Sequence, residues 1–162
     1  MQHLKSIDLS STKVSTGFQH LANCPSLETL LLDGTEVDDD AIRDIAKIVT
    51  LKGLYVGSEN VTNDGLRFLA GHPNLETLYY HGIGPTEHLG ITEECFEHLP
   101  KIPQLRDLSV ACRVTAKGLE SLQRISKLDT LCVDWPTLTL PELEAIRQHL
   151  PNCRVRSLYV NE

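Results

Sequence analysis

The residues most able to do chemistry are seven histidines: His3, His20, His72, His81, His88, His98 and His149. Imidazole is the commonest metal ligand and a ready general base. None of the seven falls in an H-E-x-x-H or Cys/His-finger spacing. His81 and His88 come nearest to a pair, but exposed polar loop residues are the plainer reading, and no metal site is expected. The run Asp38-Asp39-Asp40 lacks the further oxygens and the glycine of a calcium loop. At a helix start it would instead complement the dipole. Gly82-x-Gly84 lacks the downstream spacing of a phosphate loop. Thiol catalysis needs a cysteine beside a positioned base. The cysteines are Cys24, Cys95, Cys112, Cys132 and Cys153. Cys132 alone sits at an outward strand position, and His81 lies two strands away. The sequence therefore points to no catalytic residue, no metal and no cofactor, and enzymatic activity is not expected.

The elements that would position any site come from an internal repeat. The motif L-x-x-L-x-L returns as Leu4-Ile7-Leu9, Leu27-Leu30-Leu32, Leu51-Leu54-Val56, Leu75-Leu78-Tyr80, Leu105-Leu108-Val110 and Leu128-Leu131-Val133. A seventh copy reads Val155-Leu158-Val160, so the starts are 23, 24, 24, 30, 23 and 27 residues apart. Each of the first six motifs is followed by an apolar residue and a small capping residue: Val14-Ser15, Val37-Asp38, Val61-Thr62, Ile91-Thr92, Val114-Thr115 and Leu138-Thr139. Ser, Thr and Asp accept from the free N–H groups of a helix start. Apolar pairs three apart follow: Phe18/Leu21, Ile42/Ile45, Leu66/Leu69, Phe96/Leu99, Leu119/Leu122 and Leu143/Ile146. Each unit thus reads as strand, turn, capped helix, turn. No unit can bury its apolar face alone, so the units must stack. Motif positions 1, 4 and 6 face the core, and positions 2, 3 and 5 face away.

The extended pattern L-x-x-L-x-L-x-x-T-x-V-[TSD]-x-x-G-L-x-x-L, clearest at residues 51–69 and 105–122, resembles leucine-rich repeats of the cysteine-containing and ribonuclease-inhibitor-like kind. Thr12 and Thr35 stand where many such repeats carry cysteine or asparagine, a version similar to bacterial proteins of the class. The resemblance covers nearly the whole chain. It implies a right-handed α/β solenoid of about six and a half repeats in one domain, 1–162. Its parallel sheet lines the concave face and its helices the convex face. Two units depart from the norm. The fourth carries about six extra residues in a glycine-rich loop at 82–90, and the sixth reads as longer because the helix ending near Leu150 takes an extra turn. No separate capping pattern flanks the repeats.

On the face opposite the core, position 5 gives Asp8, Leu31, Tyr55, Tyr79, Ser109, Cys132 and Tyr159. Position 2 gives Lys5, Glu28, Lys52, Glu76, Arg106, Asp129 and Arg156, opposed charges that can pair across strands about 4.8 Å apart. Leu31, Tyr55 and Tyr79 put three large groups side by side on a face that should be solvated. They can pack as a cross-strand ladder or serve as a binding hot spot.

Composition bounds the partner. A hydrophobic fraction of 41% and a charged fraction of 23% suit a globular core, which the 5% aromatic content makes aliphatic. The net charge of −7 argues against nucleic acid and suits a basic partner. Neither an apolar leader nor a membrane-spanning run is visible. Five dispersed cysteines, an odd number without CxxC, read as reduced thiols in a cytoplasmic compartment. The expectation is a protein- or peptide-binding scaffold using Leu31, Tyr55, Tyr79, His81, His88, Arg106 and the 82–90 loop. The alternative is a recruitment domain cut from a larger ubiquitin-ligase-like or kinase-linked assembly, in which the solenoid ends are engaged. A small metal-dependent or thiol enzyme ranks last.

Overall fold

The computed structural model describes residues 3–80, 90–133 and 135–160. His81, His88 and all but Gly90 of the 82–90 loop lie outside these residues. Seven strands form one parallel sheet in chain order: β1 (Ser6–Asp8), β2 (Thr29–Asp33), β3 (Gly53–Gly57), β4 (Thr77–Tyr80), β5 (Asp107–Val110), β6 (Thr130–Val133) and β7 (Arg154–Arg156). Equivalent motif positions pair, as in Leu30 with Leu54, Leu54 with Leu78 and Leu78 with Leu108.

The L-x-x-L spacing has a backbone cause. The position-2 carbonyl accepts from two successive amides of the next strand: Glu28 O from Lys52 N at 2.8 Å and Gly53 N at 3.0 Å. The same pairing recurs at Lys5, Lys52, Glu76 and Arg106. Two neighbouring amides that point the same way break the strict alternation, so the apolar positions are 1, 4 and 6 rather than 2, 4 and 6.

The last strand corrects the expected register. Val155 pairs with Leu131, so it occupies position 4 and not position 1, and the step is 24 residues (155 − 131). The sixth unit is therefore of ordinary length. Leu158 and Tyr159 lie beyond β7, 71% and 55% exposed, and Arg156 takes the position-5 place assigned to Tyr159. The error arose because Val155, Leu158 and Val160 imitate the motif spacing, whereas position 1 of this unit is the polar Asn152. Arg147 donates from Nε and a terminal nitrogen to Val155 O, at 3.3 and 3.2 Å.

Among the described residues four α-helices lie on the other face: α1 (Asp39–Ile45), α2 (Asn63–Arg67), α3 (Ala116–Leu122) and α4 (Leu140–His149). The first and fourth units depart from the expected α-helix and form 3-10 segments, Phe18–Asn23 in one, Glu93–Glu97 and Leu99–Lys101 in the other. In the fourth, Pro100 has no N–H to continue an α-helical ladder. In the first, Ser15 is not the cap. The segment begins after Gly17, whose left-handed φ of 97° turns the chain into it.

The apolar pairs behave as expected: Ile42, Ile45, Leu66, Leu69, Phe96, Leu99, Leu122, Leu143 and Ile146 are buried. Asp38 and Thr139 cap their helices, accepting from Ala41 N at 2.9 Å and Glu142 N at 3.4 Å. A second hydrogen-bond system joins the helix starts. Asp39 accepts from Thr62 N and Thr62 Oγ at 2.8 and 2.7 Å. Asn63 accepts from Thr92 N at 3.0 Å and donates to Thr92 Oγ at 2.9 Å. Glu93 accepts from Thr115 N and its hydroxyl, and Thr115 makes no side-chain cap bond to its own helix. In α1, α2 and the Glu93–Glu97 segment the first residue thus ties down the threonine that precedes the next helical segment.

His72 is a structural histidine. It is buried, donates from Nε2 to Ile48 O at 3.0 Å, and accepts at Nδ1 from Leu75 N at 3.1 Å. Burial lowers its pKa below the ordinary value, with the Ile48 carbonyl opposing the shift. A depressed histidine pKa means stability is fully present above the unfolded value of about 6.5 and is lost as pH falls below it. The stability difference between the native chain and His72→Gln should therefore shrink as pH falls from about 7.5 to about 5.5. A difference that stays constant, measured by urea denaturation at both pH values, would contradict this role.

All five cysteines are free thiols; Cys24, Cys95, Cys112 and Cys132 are buried. Cys153 is half-buried, and burial, aided by Asp129, pushes its pKa to about 11. The folded protein should react slowly with a thiol reagent at neutral pH, because the thiolate is the reactive form. The unfolded protein should titrate five groups. Fewer than five in fresh protein would mean that a disulfide has formed.

Candidate binding face

Alternation along each strand puts positions 3, 5 and 7 on the helix-free side of the sheet. Register then aligns Leu31 with Tyr55 and Tyr55 with Tyr79. The tyrosine rings stack, with centroids 4.9 Å apart and planes 12° from parallel. The Tyr55 ring lies close to Gly53, where a Cβ would stand at contact distance, 3.4 Å from Tyr55 Cε2. The ladder and the hot spot are thus compatible, because both tyrosines and Leu31 remain only half-buried.

Ser109 and Cys132 continue the row but differ from the solvated residues expected there. Ser109 is fully buried and Cys132 is 9% exposed. Ser109 lies in register between Tyr79 and Cys132 on the adjacent strands.

Charges on this face pair unevenly. Lys5 and Lys52 both reach Glu28, at 3.8 and 3.3 Å. Arg106 bonds Asp129 at 2.9 Å. Arg106 is therefore tied into the sheet's own charge ladder, two strands from Tyr55. Among the described residues no ion pair reaches Glu76, although it lies between Lys52 and Arg106 in the column. Two carboxylates that the position-2 and position-5 columns missed also belong here. Asp33 is at position 7 of β2, and one of its oxygens is buried without a hydrogen bond. Asp107 is at position 3 of β5, paired in register with Thr77. Both act on Tyr55: its hydroxyl pKa is raised, first by burial, then by Tyr79, Asp107 and Asp33. Continuing the columns to positions 3 and 7 would have found both.

Among the described residues no group of three or more His, Cys, Asp or Glu side chains could hold a metal ion. His3, His20 and His149 are exposed and His98 half-buried. Among the described residues no helix is long and apolar enough to cross a membrane. Shallow clefts range from about 200 Å³ beside Leu122, His149 and Cys153 to about 370 Å³ beside Arg147, Arg154 and Arg156, at or below the low end for a ligand pocket.

The sequence matches no family model and no curated protein sequence. Its fold is similar to that of an internalin from Listeria monocytogenes, with a TM-score of 0.50 and 14% identity over 97% of this chain and 54% of that one. The fold is a leucine-rich-repeat solenoid. Weaker likenesses are to leiomodin-1 actin-binding site 2 (TM-score 0.49, 14% identity, 91% of this chain and 77% of that) and to a leucine-rich-repeat protein of Leptospira interrogans (0.32, 17%, 94% and 54%). The chain thus spans about half the length of the internalin and of the Leptospira protein.

Proposed function

We propose that this solenoid is a protein- or peptide-binding module that works by recognition and not by catalysis, in a reducing, cytoplasmic setting. The partner lies across the helix-free face of β2, β3 and β4; His81, His88 and the 82–90 loop, which follow β4 in the sequence, are proposed as further contacts. The observation that carries this reading is the half-exposed Tyr55–Tyr79 stack flanked by Leu31. Tyrosine provides large, stiff, amphipathic contact area, and it is enriched where interfaces carry most of their energy. Backbone pairing to both neighbours fixes β3 and β4, so little ordering cost is left for binding.

Affinity capture with the folded chain, followed by titration of the captured partner, tests it. Tyr55→Ala and Tyr79→Ala should each weaken binding by more than ~1 kcal/mol. Lys117→Ala, on α3 and paired with Glu97, should leave it unchanged. Circular dichroism must show each variant folded. A Lys117 effect equal to that of the tyrosines would move the interface to the helices.

A further inference from the structure

We infer that the element read by this face is a basic segment, one that places an arginine side chain against the tyrosine stack. The inference rests on the proposed binding face and names what would occupy it. It starts from the charge left over once the sheet has paired its own. Lys5 and Lys52 both turn to Glu28, and Arg106 turns to Asp129. Both cations that neighbour Glu76 in the column are thereby engaged away from it. Glu76, Asp107 and Asp33 remain around the stack, and no ion pair reaches any of them among the described residues.

Their position matters as much as their number. Asp33 is on the strand before Tyr55, and Asp107 is on the strand after Tyr79. The two carboxylates thus bracket the rings, and both raise the Tyr55 pKa. One Asp33 oxygen is buried without a donor. That oxygen is desolvated without a partner, and a cation docked beside the carboxylate would offset its charge without having to reach the buried atom. Opposite Asp33, position 7 of β3 is Gly57, which has no side chain to compete for that space.

The chemistry that fits all these features is a planar cation. Two stacked tyrosines present outer π faces whose quadrupole attracts positive charge. Guanidinium stacks on an aromatic face and offers donors in a fixed fork to a carboxylate. Ammonium is more strongly hydrated and lacks the plane, so a lysine segment should bind more weakly. The whole chain, at −7, steers a basic segment toward it and repels an acidic one.

The test uses three synthetic peptides of one length, alternating glycine with arginine, lysine or glutamate, titrated into the folded chain. Amide chemical shifts report where each binds. The arginine peptide should bind tightest, the lysine peptide about threefold or more weaker, and the glutamate peptide not at all. Its shifts should fall on β2 to β5. Asp33→Asn and Asp107→Asn should each weaken it about fivefold, and Tyr79→Leu similarly. Asp64→Asn, on α2 and paired with Arg67, should not. Shifts confined to the acidic helix starts, or equal affinity in the Asp33 and Asp107 variants, would overturn the inference. A captured partner that needs Tyr55 and Tyr79 but presents an acidic segment would overturn it too and leave the binding face standing. A partner indifferent to both tyrosines would remove that face itself.

Discussion

Leu108→Ala should lower the free energy of unfolding by about 2–5 kcal/mol, the range for a leucine removed from a core that cannot close around the gap. Leu108 is 1% exposed at position 4 of β5, between Leu78 and Leu131 on the neighbouring strands. Both neighbours are themselves fully buried, so little can relax into the space. Thr77→Ala on β4, half-buried on the other face, should cost far less. Ser109 is unsuitable as that control because it is fully buried. Urea denaturation of the three proteins gives the comparison. Similar midpoints for Leu108→Ala and Thr77→Ala would mean that the strand faces have been assigned the wrong way round. Units of a solenoid contact mainly their neighbours, so a central loss can also broaden the transition.

The second large effect is expected where helices stack. Glycine and alanine differ by about 1 kcal/mol in helix propensity, in alanine's favour. At Gly65 the sign should reverse. A Cβ there would collide with Asp39 Oδ1 and come within 3.3 Å of the Asp39 Cα. The carboxylate cannot move freely, because it holds Thr62 through two hydrogen bonds. Gly65→Ala should therefore destabilise by about 1–3 kcal/mol, the usual cost of overpacking. Coupling to Asp39 identifies the cause. In the Asp39→Ala background the same change should cost much less, since the clashing oxygens are gone. Equal costs in both backgrounds would place the problem in the backbone instead. Gly118 offers a parallel case, with the Phe96 ring 2.9 Å from its would-be Cβ.

These two sites show what the amino-acid sequence discloses and what it hides. Leu108 was legible because burial repeats with the unit, and a period of about 24 residues leaves little freedom for which face a leucine takes. The glycine at Gly65 and Gly118 was visible as a pattern, but its reason was not. It lies in the distance between two helices, and a single unit does not contain that distance. The Asp39-to-Thr62 and Glu93-to-Thr115 bonds were hidden for the same cause, since they join residues 23 and 22 apart. The last repeat was misread where Val155, Leu158 and Val160 imitate the motif, and only pairing with Leu131 fixes the register. The tyrosine row was legible from the position-5 column. Its acidic border stands in the position-7 and position-3 columns, Asp33 and Asp107, and is legible only when the repeat alignment is extended to them.

The central claim is that the sheet face carrying Tyr55 and Tyr79 is where the partner binds. It is tested most directly by the partner affinity of the Tyr55→Ala/Tyr79→Ala double variant, measured at fixed salt beside the native chain. Removing both rings of a stack should weaken binding at least about tenfold, equivalent to roughly 1.4 kcal/mol. The variant's amide spectrum should remain that of a folded solenoid. An unchanged affinity in a folded double variant would contradict the account and move the interface to another surface.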